Sequence, residues 1–108
     1  MKIRVKYNSF IPVLCKVDAV TIYPFIFFKA KRADLVLFKH ELIHVEQMKK
    51  CGVAKWYIKY AADFAKNMKF YRNWMKAYCK IPFEVEAYER QKEPLTELEK
   101  ALLESIVK

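Results

Sequence analysis

A small α+β domain is the fold this chain predicts, and three observations carry that expectation. Within the first 29 residues, β-branched and aromatic side chains alternate or cluster with strand character. From Ala33 onward the apolar residues recur three and four apart. The order, strands first and helices after, belongs to segregated rather than alternating elements. The chain has 108 residues, a single Gly, and no repeat or linker-like stretch, so residues 1–108 read as one domain. A hydrophobic fraction of 55% is enough to bury a core without staples, and 31% charged residues exclude a membrane-embedded chain. The longest uncharged apolar run, residues 19–28, contains Pro24 and has half the roughly 20 residues a membrane span needs. The opening MKIRVK lacks the continuous apolar block of a secretory signal.

Ile3, Val5 and Tyr7 alternate with Lys2, Arg4 and Lys6, the period of a half-buried strand, and Asn8-Ser9 breaks it. A second strand-rich zone covers residues 13–29, with Asp18 and Pro24 placed to divide it or hold it at a sheet edge. Leu35, Leu37, Phe38, Leu42, Val45 and Met48 then fit a helix of about 17 residues that ends before Gly52. Lys49 and Lys50 stand in its last turn, where the helix dipole favours cations. Helical pattern resumes at Val53. Trp56, Tyr60 and Phe64 form one i, i+4 stripe, and Phe70, Trp74 and Tyr78 another, both read as core. Pro82 suits the first turn of a helix through Arg90. After Pro94, Thr96 and Glu99 have capping-box spacing for a last helix with Leu95, Leu98, Leu102 and Ile106 as its apolar face. The expected architecture is a short sheet followed by about four helices, the first of them carrying the chemistry described next.

The two histidines of the chain occur as His40-Glu41-Leu42-Ile43-His44. Four residues apart on a helix, both imidazoles face the same way, as a metal ion requires of two nitrogen ligands. Glu41 lies about 100° around the helix, able to reach a water on that metal without binding it. This is the H-E-x-x-H pattern of zinc peptidases. Two protein ligands leave zinc one short of the usual catalytic set. The metzincin extension is absent, since Gln47 and Lys50 stand where its Gly and third His would be. The helix after Pro82 offers Glu84, Glu86 and Glu89; Glu84 and Glu86 are about 200° apart, so one of them alone points inward. Cys15, Cys51 and Cys79 form no C-x-x-C pair and read as reduced, partly buried thiols of a cytoplasmic protein rather than ligands.

His40 to His44 followed by Glu84-Val85-Glu86-Ala87-Tyr88 resembles the gluzin arrangement of zinc peptidases, and the whole chain is similar to the archaeal minigluzins, minimal soluble metallopeptidases. That resemblance implies a zincin-like domain holding one Zn2+ per chain, with Glu84 as the third ligand beside His40 and His44, and Glu86 as the alternative. Tyr88 stands where the family often has an Asp that orients a histidine. The resemblance also implies that a short mixed sheet lies above the motif helix and that an edge strand, here within residues 20–29, lines the substrate cleft. The activity implied is endopeptidase cleavage of a peptide or protein substrate, narrow in specificity or latent, with Glu41 as general base on the zinc-bound water and then as acid toward the leaving amine. Tyr78, Tyr88 and Tyr71 are the available oxyanion donors. Gln47, two turns after His40 on the same face, is placed either to steady a ligand or to face water.

Net charge is 21 − 12, or +9, mostly from Lys, which reads as a solvated surface more than a nucleic-acid site. A basic metal-containing binding module, without catalysis, for nucleic acid or a protein partner is the competing class. Residues 93–108 carry a net charge of −2 against +11 for residues 1–92. The segment 94–108 is thus expected either to complete the core or to regulate, by docking on its own cleft as in a zymogen or on a neighbour's as a homo-oligomer.

Overall fold

The computed structural model describes residues 3–7, 9, 19–29 and 35–107, with side chains as far as Leu102. Three short strands, β1 (Arg4–Lys6), β2 (Ala19–Ile22) and β3 (Phe25–Phe28), form a mixed sheet in the order β1-β3-β2. β3 runs parallel to β1 and antiparallel to β2. The expected strand zone is therefore two strands, divided at Tyr23-Pro24, whose peptide bond is cis. Its residues 13–18 lie outside the described residues, as does Asn8.

Alternation decides the buried face of the sheet. Ile26 and Phe28 are fully buried, while Phe25 and Phe27 stack on one another across the opposite, half-buried face. Ile26, Phe28 and Ala19 pack onto Phe38, Leu42 and Val45 of helix α1 (Leu35–Cys51), which makes the core. α1 has the expected length and ending. Gly52 takes φ 94° and ψ 139°, a backbone region that glycine tolerates and other residues do not, and so turns the chain directly into α2 (Val53–Tyr71).

Four helices were expected after the sheet; the described residues hold five. The extra boundary lies inside the second aromatic stripe. Arg72 adopts the left-handed conformation, closing α2 through its N–H to the Met68 carbonyl. Asn73 then caps α3 (Trp74–Cys79), its side chain accepting the Lys76 N–H. The break swings Phe70 away from Trp74 and Tyr78, and Phe70 is 79% exposed rather than core. α4 (Pro82–Arg90) starts on its proline as expected. α5 (Glu97–Val107) starts with the expected capping box: the Thr96 N–H donates to Glu99 Oε1 and the Glu99 N–H to Thr96 Oγ1. Leu95 and Leu102 pack against the core, but Leu98 is 85% exposed and Ile106 lies outside the described side chains. No helix among the described residues is long and apolar enough to cross a membrane.

Candidate metal centre

α1 is packed between β2, α2 and α4, so it is buried nearly all round from Phe38 to Val45. Such a helix is usually apolar on every side. This one carries Lys39, His40, Glu41, His44 and Gln47 among its buried residues, each of which needs a polar partner. Those partners come from β2, α2, α4 with its cap residue Gln91, and α5, and the first three define the centre.

Glu84, in the first turn of α4, is buried and points at both histidines. His40 Nε2 and His44 Nε2 lie 2.9 and 3.2 Å from the same oxygen, Glu84 Oε1. Tyr60 of α2 donates to the other oxygen, Oε2, at 2.6 Å. Two ring nitrogens and one carboxylate oxygen thus lie within 4.8 Å of one another, a buried group that could hold a metal ion.

The far side of each imidazole is also engaged. His40 Nδ1 lies 2.8 Å from Gln91 Oε1, and His44 Nδ1 lies 3.0 Å from Gln47 Oε1. Gln47 leaves little freedom in how this is read. Its Oε1 also accepts from the Trp56 indole N–H, which can only donate, while its Nε2 donates to the Phe83 carbonyl and to Glu86 Oε1. The amide is therefore oriented, and the His44 Nδ1 must carry a proton to face an acceptor. That arrangement turns Nε2 toward Glu84 as the atom free to ligate.

Charge in the centre follows from burial and pairing. Burial opposes the charged form of His44, but Glu84 and then Glu41 outweigh it, and the imidazole is held up to about 9. Burial likewise works against the Glu84 carboxylate, yet the bonds from His40, His44 and Tyr60 keep it well below the usual carboxylate range. Protons on the ring nitrogens thus occupy the place of a cation against Glu84. A divalent ion exchanging with them would meet neutral imidazoles and an ionised carboxylate, so the donor set fits a metal.

Glu41 points to a different neighbour. Thr21 of β2 donates its hydroxyl to Glu41 Oε1 at 2.8 Å, and burial pushes the carboxyl upward. Glu41, His44 and Glu84 open onto one cavity of about 290 Å³, walled by β2 on one side and by Trp56, Tyr57, Tyr60, Phe64, Trp74 and Tyr78 on the other. The first aromatic stripe is therefore cavity wall as well as core. Trp56 is buried and Tyr60 and Phe64 are half-buried, and all three border the space beside His44 instead of packing wholly against other side chains.

The remaining expected residues divide clearly. Tyr78 lines the cavity, its hydroxyl held protonated by burial first and the nearby Glu84 second. Tyr88 sets its ring edge-on to His40, with centroids 4.6 Å apart. Tyr71 ends α2 with Lys76 over its ring, and is not among the cavity's lining residues. Glu86 does not join the ligand group; it accepts from Gln47 and Arg90 on a part-exposed side of α4. Cys51 and Cys79 are exposed, not partly buried, because each ends a helix at the surface, and Cys15 lies outside the described residues. Thr21, Tyr60, Trp56 and Gln91 were not anticipated as site residues. The i, i+4 relation of Trp56 and Tyr60 was the one available signal, since it put both on one face of α2. Comparison with family models, curated proteins and solved structures gives no match.

Proposed function

We propose that this protein is a zinc-dependent endopeptidase of the gluzin kind, with His40, His44 and Glu84 as zinc ligands and Glu41 as general base. The observation that carries the reading is the convergence of both His Nε2 atoms on Glu84 Oε1 beside a fourth buried side chain, Glu41, that takes no part in the cluster. A purely structural metal site has no use for a buried carboxylate that stands beside the ligand group without joining it. Zinc bound there would polarise the scissile carbonyl and lower the pKa of a water toward about 7.

The protein side chains divide the remaining work. Thr21 holds Glu41 Oε1 and leaves Oε2 to take the proton of the attacking water and return it to the departing amine. Burial raises the basicity of Glu41 and so suits it to accept that proton near neutral pH. Tyr78 keeps its hydroxyl proton and donates to the developing oxyanion from the aromatic wall. The side of β2 away from β3, which pairs with no strand among the described residues, borders the cavity and is where an extended peptide would add.

Glu41→Gln preserves the acceptor for Thr21 and removes the base. It should retain about one zinc per chain by native mass spectrometry and lose at least about 10²-fold in turnover of a mixed peptide library. Unchanged turnover, or a wild-type chain that takes up no zinc, overturns the proposal.

A further inference from the structure

Among the described residues no strand pairs with the outer side of β2, yet that side is not bare. The register Ile22↔Phe25 across a two-residue turn directs the backbone groups of Val20 and Ile22 toward β3 and those of Thr21 and Tyr23 outward. One side chain meets both outward groups. Tyr57 of α2 donates its hydroxyl proton to the Thr21 carbonyl at 3.0 Å, and the same oxygen accepts the Tyr23 N–H at 3.1 Å.

A carbonyl at one residue and an N–H two residues on are the pair that a single residue of a parallel incoming strand satisfies with its own N–H and C=O. Here one phenol does both. Thr21 is also the residue whose side chain holds Glu41, and Tyr57 lines the same cavity. The occupied stretch of edge is thus the stretch nearest the proposed base. Tyr57 is about one-third exposed, with its ring edge-on to Trp56, so open solvent lies on one side of it.

We propose that Tyr57 gates the peptide edge: its hydroxyl stands in for one residue of main chain and has to leave Thr21 and Tyr23 before a substrate peptide adds to β2. This rests on the peptidase reading only in taking a peptide as the ligand. A gate of this kind holds the edge closed to unwanted pairing, the usual hazard of a bare strand, and admits a chain that can replace both bonds.

The test uses the zinc-loaded full chain carrying Glu41→Gln, so that bound peptide is not cut, with and without Tyr57→Phe. Nitrogen-15 NMR follows the Tyr23 amide while acetyl-Thr-Val-Phe-Val-Thr-amide is titrated in. Without peptide, Tyr57→Phe should speed hydrogen exchange of the Tyr23 N–H about tenfold. Peptide should bind about five- to a hundredfold more tightly to the Phe variant, the range set by losing two competing neutral hydrogen bonds, and should restore protection of that amide. In the chain that keeps Tyr57, the Tyr57 ring resonances should shift with the same titration curve. Equal or weaker binding to the Phe variant, binding that leaves the Tyr23 amide unchanged, or Tyr57 resonances that stay still on saturation each overturn the gate. Absence of zinc or of hydrolysis in the unmutated chain overturns the peptidase reading instead, and the peptide titration is read independently of it.

Discussion

Gln47 sets the orientation of His44, and so which ring nitrogen faces the cavity. Four polar atoms surround its amide, and a donor-only indole on one side with two acceptors on the other leave one satisfactory orientation. Seven-residue spacing from His40 put Gln47 on the right face of the helix, but spacing alone did not decide between steadying a ligand and facing water. The contrast between Glu84 and Glu86 is of the same kind: helical geometry allowed one to point inward, and the packing of α4 on α1 selected Glu84. Zinc affinity measured by competition with a chromophoric chelator should therefore fall about 10²-fold or more in Glu84→Gln, which exchanges a charged ligand for a neutral amide. Glu86→Gln should stay within about threefold, since an amide oxygen can still accept from Gln47. The opposite ranking would transfer the ligand role to Glu86.

At the scale of elements, α5 is tied to α1 by one carboxylate. Glu99 Oε1 accepts both the Thr96 N–H of its own cap and Lys39 Nζ, at 2.8 Å in each case, and Lys39 is 4% exposed. The capping box was legible because its residues are three apart; the bond to a lysine 60 residues away was not. Glu99→Ala should cost about 3 kcal/mol in chemical denaturation, because it strips a cap and leaves a buried ammonium unpaired. Lys39→Met combined with Glu99→Gln, which keeps a side-chain acceptor at the cap, should recover most of that loss. A chain ending at Glu93 also loses the Leu95 and Leu102 contacts with the core, so its melting temperature should drop steeply. If that shortened chain stays folded and turns over peptide faster than the full one, α5 is a regulatory element instead.

Over the whole molecule, the buried charges of the centre give the protein a pH dependence that metal should change. His44 binds its proton more tightly folded, at about 9, than at its ordinary 6.5. Its contribution is therefore full below about pH 6.5 and disappears as pH rises through 9. Glu84 is shifted the other way from 4.5, so its contribution is present above that value and is lost on further acidification. Both describe one ion pair, which makes the metal-free protein most stable between about pH 4.5 and 6.5 as far as this pair decides. Zinc requires a neutral imidazole, so at pH 7 its binding should release about one proton from His44, and its apparent affinity should rise with pH up to about 9. Calorimetric melts with chelator and with zinc at pH 5, 7 and 9 should show the gain from zinc growing with pH. A gain independent of pH would mean that His44 is not the protonated partner of Glu84.

The order of amino acids carries whatever depends on neighbours within about one or two helical turns. It set both histidines on one face of α1, the end of that helix at Gly52, the start of α4 at Pro82 and the cap of α5. These are local because helix geometry and backbone conformation are local. Even the break at Arg72 and Asn73 had a local signal, an Asn ahead of a short helical run, although the aromatic period across it suggested continuity. The partners come from the packing of distant segments. Glu84 meets His40 across 44 residues, Gln91 meets it across 51, Tyr60 meets Glu84 across 24 and Thr21 meets Glu41 across 20. Each of these bonds joins two elements whose relative placement is set by burial of apolar surface, which has no direction and leaves no periodic mark on the chain. The polar residues of α1 announced that a site was present; only the packing of β2, α2 and α4 around them chose its other members.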